Sequence, residues 1–357
     1  MRRRLLHLRT LPLLLVVVVI AGVGCKYRVA PTAGISTSAY FAGHPPGEQE
    51  LELARLAQIG AHWVRLDLEW DVVQADGPNA WNWQSFDTQV QLAEAQGLEV
   101  LAVAMWTPGW ANNGRGRTAP PDDALTFARF LAAAAGRYQS GGTVGARVRA
   151  WEIWNEPNNP PFWAGAPDAA AYVTLLRAAY LGVKVADPNA IVVSGGLAPN
   201  GDLNQDPGNG QHPVNYLNAM YSAGASGFFD AFGHHPYAPV PFSPLTDGPG
   251  TIGWNSFAYT LTLHDVMAAH GDGFKQIWGT ETGPPTGSCA GCVSEATQRQ
   301  WLAEEYLRWR SWPFVGPLLW HSGRDGETGS ADPDQNFGLL RSDFTPKLAF
   351  DFASALW

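Results

Sequence analysis

Two glutamates each stand at the end of a short apolar stretch that is typical of a buried strand. Glu156 lies in "WEIWNEP", where a proline ends the strand, and Glu281 lies in "IWGTETG". A buried carboxylate is costly unless the protein pairs it or uses it. Two carboxyl groups that face each other over a pocket can cleave a glycosidic bond, because one donates a proton while the other attacks the anomeric carbon or activates water. Glu156 and Glu281 are therefore the candidate catalytic residues.

The pattern along the chain predicts how these glutamates are positioned. Strand-like stretches are "AGISTSA", "HWVRLDLEW", "LEVLAVAMW", "VRAWEIWNE", "AIVVSGG", "FDAFGHHPY", "QIWGTE" and "FVGPLLWHS". Helix-like stretches follow them at Glu48–Ile59, Trp83–Gln96, Ala124–Tyr138, Ala169–Ala186, Pro213–Ala223, Phe257–His270, Glu295–Arg310 and Lys347–Ala355. This alternation predicts a single-domain (β/α)8 TIM barrel over residues 31–357. Strands 4 and 7 then face each other across the mouth, among the long loops that follow strands 5 to 8.

The second strand carries charges in alternation with apolar residues. Arg65, Asp67 and Glu69 occupy one face, and we expect this face to point into the barrel. Buried charges need partners, and Glu152 on strand 4 supplies one. We therefore predict a buried network around Arg65 that keeps nearby carboxylates ionised. Asp67, Glu69 and Glu152 are interpreted as structural partners.

Aromatic and acidic side chains near the strand ends are candidates for lining the cleft. The chain has 16 tryptophans, whose flat faces suit sugar rings. The candidates are Trp106 and Trp110 in "MWTPGW", Trp163, and Trp320 on strand 8. Trp106, Trp110 and Trp163 could equally belong to the core of the loops. Asp325 and Glu327 in "GRDGETG" could line the cleft or be solvated.

The charge of the chain restricts its partners. The net charge is −9, and the first 25 residues carry four arginines and no acid, so the rest carries −13. An acidic body disfavours nucleic acid and anionic membranes. We therefore expect a neutral ligand and no nucleic-acid partner.

Residues 1–25 combine a basic start with an apolar run, which is typical of an export signal. "GVGC" resembles a bacterial lipoprotein cleavage box with Cys25 as the lipidated residue. The alternatives are an ordinary cleaved signal and an uncleaved anchor. All three predict an extracellular or cell-surface protein that meets the membrane only through this segment.

Two further cysteines, Cys289 and Cys292, stand in "CAGC". In an exported protein this spacing favours a local disulfide over a metal site. A zinc site would need two more ligands at matched spacing.

"WEIWNEPN" resembles the acid/base strand of the clan A retaining glycoside hydrolases. "TPGW" and "TPKLAFDF" are most similar to family 39 and its cellulase-like family 5 relatives. The resemblance implies that Glu156 is the acid/base, Glu281 the nucleophile, and Arg65 the arginine near that nucleophile. It implies contacts with substrate for Asn155, His235, Tyr237 and Trp320, with Tyr237 bonded to Glu281 and Trp320 under the sugar.

The resemblance also implies a reaction and a partner. Double displacement with retention needs carboxyl groups about 5–5.5 Å apart, whereas inversion needs roughly 6.5–9.5 Å. We expect a monomer that acts on a β-linked poly- or oligosaccharide without a cofactor or metal. A non-catalytic carbohydrate-binding barrel and a transglycosylase are the alternatives. The sequence leaves open which sugar and linkage are cleaved, and whether the enzyme acts inside a chain or at its end.

Overall fold

Eight parallel strands close into a barrel in chain order, which confirms the predicted fold class. The structure is a computed structural model that describes residues 27–200, 210–238 and 256–357. The strands are β1 Ala33–Ser36, β2 Trp63–Glu69, β3 Glu99–Met105, β4 Ala150–Ile153, β5 Ile191–Ser194, β6 Ala231–His234, β7 Gln276–Thr282 and β8 Val315–His321. Cys25 and the whole predicted export signal lie outside the described residues, as do parts of the loops after β5 and β6.

One long helix accompanies each strand. The helices are α1 Pro46–Gln58, α2 Gln84–Ala95, α3 Ala124–Arg137, α4 Ala169–Ala186, α5 Pro213–Ser222, α6 Ser256–Ala269, α7 Glu295–Trp309 and α8 Leu348–Leu356. These bounds agree with the predicted helices within two residues at each end. Within the described ranges, α4 alone is long and apolar enough to cross a membrane. It packs against α3 and buries Tyr172, Val173 and Leu176, as a barrel helix does.

The strands divide their side chains between two apolar clusters. An inner cluster fills the barrel below the mouth and includes Trp63, Leu101, Trp278 and Leu319. The opposite faces of the strands pack on the helices in a much larger cluster. Because successive side chains on a strand point to opposite faces, Trp63 places Arg65 and Asp67 inside the barrel. The predicted alternation of β2 is therefore confirmed.

The loops after β7 and β8 are held by a disulfide and a buried ion pair. Cys289 and Cys292 are bonded to each other before α7. The Nζ of Lys347 lies 2.7 Å from Oδ1 of Asp325, and both side chains are at most 1% exposed. Because its side chain is buried and paired with Lys347, Asp325 neither lines the cleft nor is solvated. Glu327 is exposed to solvent.

Replacing Lys347 by Met should destabilise the fold by about 3–5 kcal/mol, because it leaves the Asp325 carboxylate buried without its cation. Denaturant unfolding of both proteins measures this difference. Arg115→Met is the matched control, since Arg115 pairs with Asp122 where both side chains are more than 40% exposed. An exposed pair contributes about 0–1 kcal/mol. Equal losses in the two variants would contradict the role of the buried pair.

Candidate active site

A cleft of about 550 Å³ opens at the C-terminal ends of the strands. Arg65, Asn155, Glu156, Tyr237 and Glu281 all line it. His235 lies directly beneath, fully buried, between the two glutamates. The barrel thus brings together residues from β2, the β4 and β6 loops, and β7, as the sequence predicts for these six side chains.

Glu156 is carried by a turn and not by the strand. β4 ends at Ile153, and Trp154 follows with a left-handed backbone (φ 71°), as does Glu156 itself (φ 45°). Left-handed backbone is uncommon outside glycine and marks positions that the surroundings hold in place. The expectation that strand 4 runs to Glu156 is therefore wrong, since the strand ends three residues earlier. The turn buries the Trp154 ring and leaves the carboxyl group at the mouth.

The Glu156 carboxyl group is fixed by two neighbours. Asn159 Nδ2 donates a hydrogen bond to Oε2 at 2.7 Å, and His235 Nδ1 lies 2.9 Å from Oε1. The backbone N–H of Glu156 also donates to the carbonyl of Gly196 at 3.1 Å. Asn159 was not identified from the sequence, although it follows the quoted motif by one residue and is polar beside a strand end.

Glu281 reaches the cleft because β7 is irregular. Thr280 points inward and bonds Glu152, whereas Thr282 points outward and bonds Glu305. The pairing of β7 with β8 shifts register across Gly279–Thr282. An extra residue in a strand re-aims the side chains beyond it. Glu281 therefore shares the inner face with Thr280, which strict alternation would not allow.

Glu281 is held in its ionised form. Arg65 Nη1 donates to Oε1 at 2.6 Å, and the Tyr237 hydroxyl donates to Oε2 at 3.0 Å. Burial by itself would raise the pKa of this carboxyl group. The charges of His235 and Arg65 outweigh burial, and together with the Tyr237 hydrogen bond they bring the pKa to about 2. The group is therefore a carboxylate at any ordinary working pH, as a nucleophile must be.

Arg65 connects the site to the barrel core. Its guanidinium donates to Glu152 at 2.6 Å and to the side-chain oxygen of Asn155 at 2.7 Å, in addition to Glu281. Glu152 is fully buried and accepts a further hydrogen bond from the Gly196 backbone N–H. Glu152 is thus a structural partner of Arg65, as the sequence suggests. Asp67 makes no hydrogen bond to Arg65, so it takes part in the predicted network only through the charge of Arg65, which lowers its pKa.

The spacing of the two glutamates limits the chemistry. Glu156, His235 and Glu281 each present one ligand atom, and these three atoms lie within 4.8 Å of one another. One oxygen of Glu156 therefore approaches one oxygen of Glu281 within 4.8 Å, a close approach that favours the separation of about 5–5.5 Å for retention over that of roughly 6.5–9.5 Å for inversion. The same three atoms could also contact a cation, although hydrogen bonding to His235 already accounts for their proximity.

Only one of the candidate tryptophans contributes to the described cleft wall. Trp106 lines it, stacked on Phe162 with the ring centroids 5.7 Å apart. Trp110 instead donates from its indole nitrogen to the Gln74 carbonyl and packs on Trp70. Trp163 is 2% exposed and packs on Trp154. Trp110 and Trp163 therefore belong to the core of the loops.

Trp320 does not lie under the sugar site, which corrects the prediction for β8. Leu319 belongs to the inner cluster, so alternation turns Trp320 outward, where it lines a small cavity together with Thr282 and Glu305. The next residue, His321, lines the cleft instead, with its ring 5.2 Å from that of Phe337. Burial lowers the pKa of His321. Because Leu319 faces the barrel interior, alternation along β8 predicts that His321 faces inward as well. The resemblance to the family motif favoured Trp320 instead.

The fold is shared with glycosidases of known structure. A family 39 glycoside hydrolase from Bacteroides cellulosilyticus WH2 is 24% identical over 93% of this chain, with a TM-score of 0.68, and this chain spans 64% of its length. A monomeric beta-xylosidase from Caulobacter crescentus CB15 is 16% identical over 92% of this chain and 68% of its own, with a TM-score of 0.62. Xylanase 10B from Thermotoga maritima is 16% identical over 94% of this chain and 96% of its own, with a TM-score of 0.63. At these identities the likeness shows the fold.

The sequence itself carries a family signature. No curated protein matches the chain significantly. Residues 25–243 match the family model described as cellulase (glycosyl hydrolase family 5). This stretch contains Arg65, Asn155, Glu156 and the His235–Tyr237 pair, and it ends before Glu281. Because the match covers more than half of the chain, the protein belongs to the cellulase family, glycosyl hydrolase family 5.

Proposed function

We propose that this protein is an exported retaining glycoside hydrolase that cleaves β-linked poly- or oligosaccharides by double displacement. One observation carries the proposal: the Glu156 and Glu281 carboxyl groups approach within 4.8 Å over a cleft, and separate partners hold each of them. Export rests on the pattern of residues 1–25, and lipidation of Cys25 is one way to retain the enzyme at the cell surface.

The geometry supports a two-step reaction. In the first step a Glu281 oxygen bonds to the anomeric carbon while Glu156 gives its proton to the departing glycosidic oxygen. The charge on Glu281 is lost as the ester forms, so the hydrogen bonds from Arg65 and Tyr237 to this group become weaker. In the second step Glu156 takes a proton from water, the water oxygen bonds to the anomeric carbon, and the bond to Glu281 breaks.

The charges in the cleft favour a neutral substrate. Arg65 is occupied by Glu152, Glu281 and Asn155. Arg117, the other arginine in the described lining, is bound by Glu69 at 2.6 Å and by Asp71. A sugar acid would therefore find no uncommitted arginine among the described lining residues, and it would face several carboxylates. Neutral hexosides or pentosides fit better.

The test is turnover of a panel of neutral and acidic polysaccharides, with product sizes read by mass spectrometry. Proton NMR at early times should show the β-anomer of the new reducing end. A first-formed α-anomer would overturn retention. Binding without any product would favour a carbohydrate-binding barrel, and products longer than the substrate would favour a transglycosylase.

Gly196→Ala should lower kcat/KM about 100-fold without unfolding the protein. A Cβ at this position would lie 2.3 Å from His235 Nε2 and 2.5 Å from Thr280 Oγ1. The His235 ring must then move, and misplacement of catalytic groups by about 1 Å can cost a factor of 100. Gly43→Ala is the matched control, because its Cβ would meet nothing within 4 Å. Wild-type kinetics in Gly196→Ala would show that the position of His235 is unimportant.

A further inference from the structure

Asp67 differs from every other charged side chain on the inner face of β2. Arg65 contacts Glu152, Glu281 and Asn155, and Glu69 is paired with Arg117 at 2.6 Å. Asp67 lines the same cleft, yet no hydrogen bond or ion pair joins it to any residue in the described part of the chain. It is thus a polar group in the catalytic cleft without a protein partner.

Asp67 is half-buried in the wall of the cleft, where a ligand can reach it. Burial raises the pKa of Asp67 to about 7, and the nearby carboxylates of Glu69, Glu281 and Glu152 add to the increase, while Arg65 opposes it. A ligand that donates hydrogen bonds to this carboxyl group would supply the partner that the described residues do not provide, and sugar hydroxyls are such donors.

The position of Asp67 indicates which part of a sugar it would meet. It follows Arg65 by two residues on β2, so its Cα lies roughly 7 Å closer to the mouth. Arg65 binds both Glu281 and Asn155. The family resemblance implies that Glu281 meets the anomeric carbon and Asn155 the 2-hydroxyl, so Arg65 marks the side of the ring that carries these two positions. Asp67 therefore stands beside the ring positions beyond these two.

We propose that Asp67 determines specificity by accepting hydrogen bonds from the 3- or 4-hydroxyl of the sugar whose glycosidic bond is cleaved. This inference rests on the proposed function and adds the recognition of the ring to it. A sugar that lacks the hydroxyl forms no hydrogen bond with the carboxyl group, and a sugar acid brings a further negative charge among the carboxylates of Glu69, Glu281 and Glu152. Asp67 thus selects for a neutral ring with its hydroxyls free.

The experiment pairs changes in the protein with changes in the substrate. The 4-nitrophenyl β-glycosides of glucose, xylose, mannose and galactose identify the fastest parent substrate. Its 2-, 3- and 4-deoxy analogues are then compared in wild type, Asp67→Ala and the nearly isosteric Asp67→Asn. On the parent at pH 8, where Asp67 is largely ionised because its pKa is about 7, Asp67→Ala should lower kcat/KM about 100-fold, the scale of a lost hydrogen bond to a charged group. On the 3- or 4-deoxy analogue, Asp67→Ala should lower kcat/KM by less than about threefold, because the sugar hydroxyl that Asp67 binds is already absent.

The 2-deoxy analogue is the internal control, since Asp67→Ala should still cost about the full 100-fold on it. Asp76→Asn is the protein control, because Asp76 is exposed and outside the cleft lining. An equal loss on the parent and all analogues, or no loss on any, would overturn the proposal. Thermal unfolding separates these results from a folding defect, and Asp67→Asn keeps the test open if Asp67→Ala does not fold.

Failure of the proposed function gives a different result. If wild type hydrolyses none of the glycosides, NMR titrations with glucose, xylose, mannose and galactose test Asp67 by binding alone. The tightest of these sugars should bind Asp67→Ala at least about tenfold more weakly than wild type. Equal binding by both proteins, or no binding by wild type, would overturn the role of Asp67.

Discussion

Glu281→Ala should lower kcat on any glycoside by at least about 10⁴-fold, the scale of removing a covalent nucleophile. The reason is that no other carboxylate among the described residues is placed by Arg65 and Tyr237 at this point. The alanine vacates a space beside the anomeric carbon. Sodium azide should enter it, restore part of the turnover, and give a glycosyl azide of inverted, α configuration, which NMR identifies.

Glu327→Gln is the matched control for Glu281→Ala, because Glu327 is exposed on the loop after β8 and its change should leave kcat unaltered. Full activity of Glu281→Ala would refute the assignment of the nucleophile. Rescue by azide with retained configuration would also refute it, since the anion would then have entered from the opposite face.

Glu156→Ala should distinguish substrates by their leaving groups. On unactivated oligosaccharides kcat/KM should fall by about 10²–10⁴-fold, the usual contribution of a general acid. On dinitrophenyl glycosides, whose leaving group departs without a proton, kcat/KM should change little. Azide should here accelerate the second step and yield the β-azide, the opposite product from that of Glu281→Ala.

Asn159→Ala is the companion variant for Glu156→Ala. It removes the 2.7 Å hydrogen bond to Glu156 and keeps the carboxyl group, so its loss should be smaller but depend on the leaving group in the same way. An equal loss of kcat/KM on both substrate types in Glu156→Ala would contradict the acid role and would point to damage in the shared network around His235.

The sequence alone determined the barrel and the six side chains that meet at its mouth. Eight alternations of strand-like and helix-like patterns leave few other ways to bury the apolar faces, so the fold follows from local patterning. The alternation of β2 likewise placed Arg65 inside, since the opposite face is uniformly apolar. Motifs at the strand ends then identified Asn155, Glu156, His235, Tyr237 and Glu281.

The tertiary structure alone decided how these residues are aimed. Strict alternation would have extended β4 through Glu156 and would have placed Glu281 on the opposite face of β7 from Thr280. The left-handed turn at Trp154 and the shifted register of β7 break that periodicity. Such breaks arise from packing against neighbouring strands and loops, which a pattern within one strand does not record.

The lining of the cleft was decided in the same way. On β8, a shift of one residue places His321 in the cleft wall and turns Trp320 away from it. Trp110 is held in the loop core by Gln74, which is distant in sequence, and Trp163 by Trp154 within the same loop region. Residue types therefore determined what chemistry is available. The contacts between elements, which depend on the closed barrel as a whole, decided which side chains face the substrate and left Asp67 free to meet it.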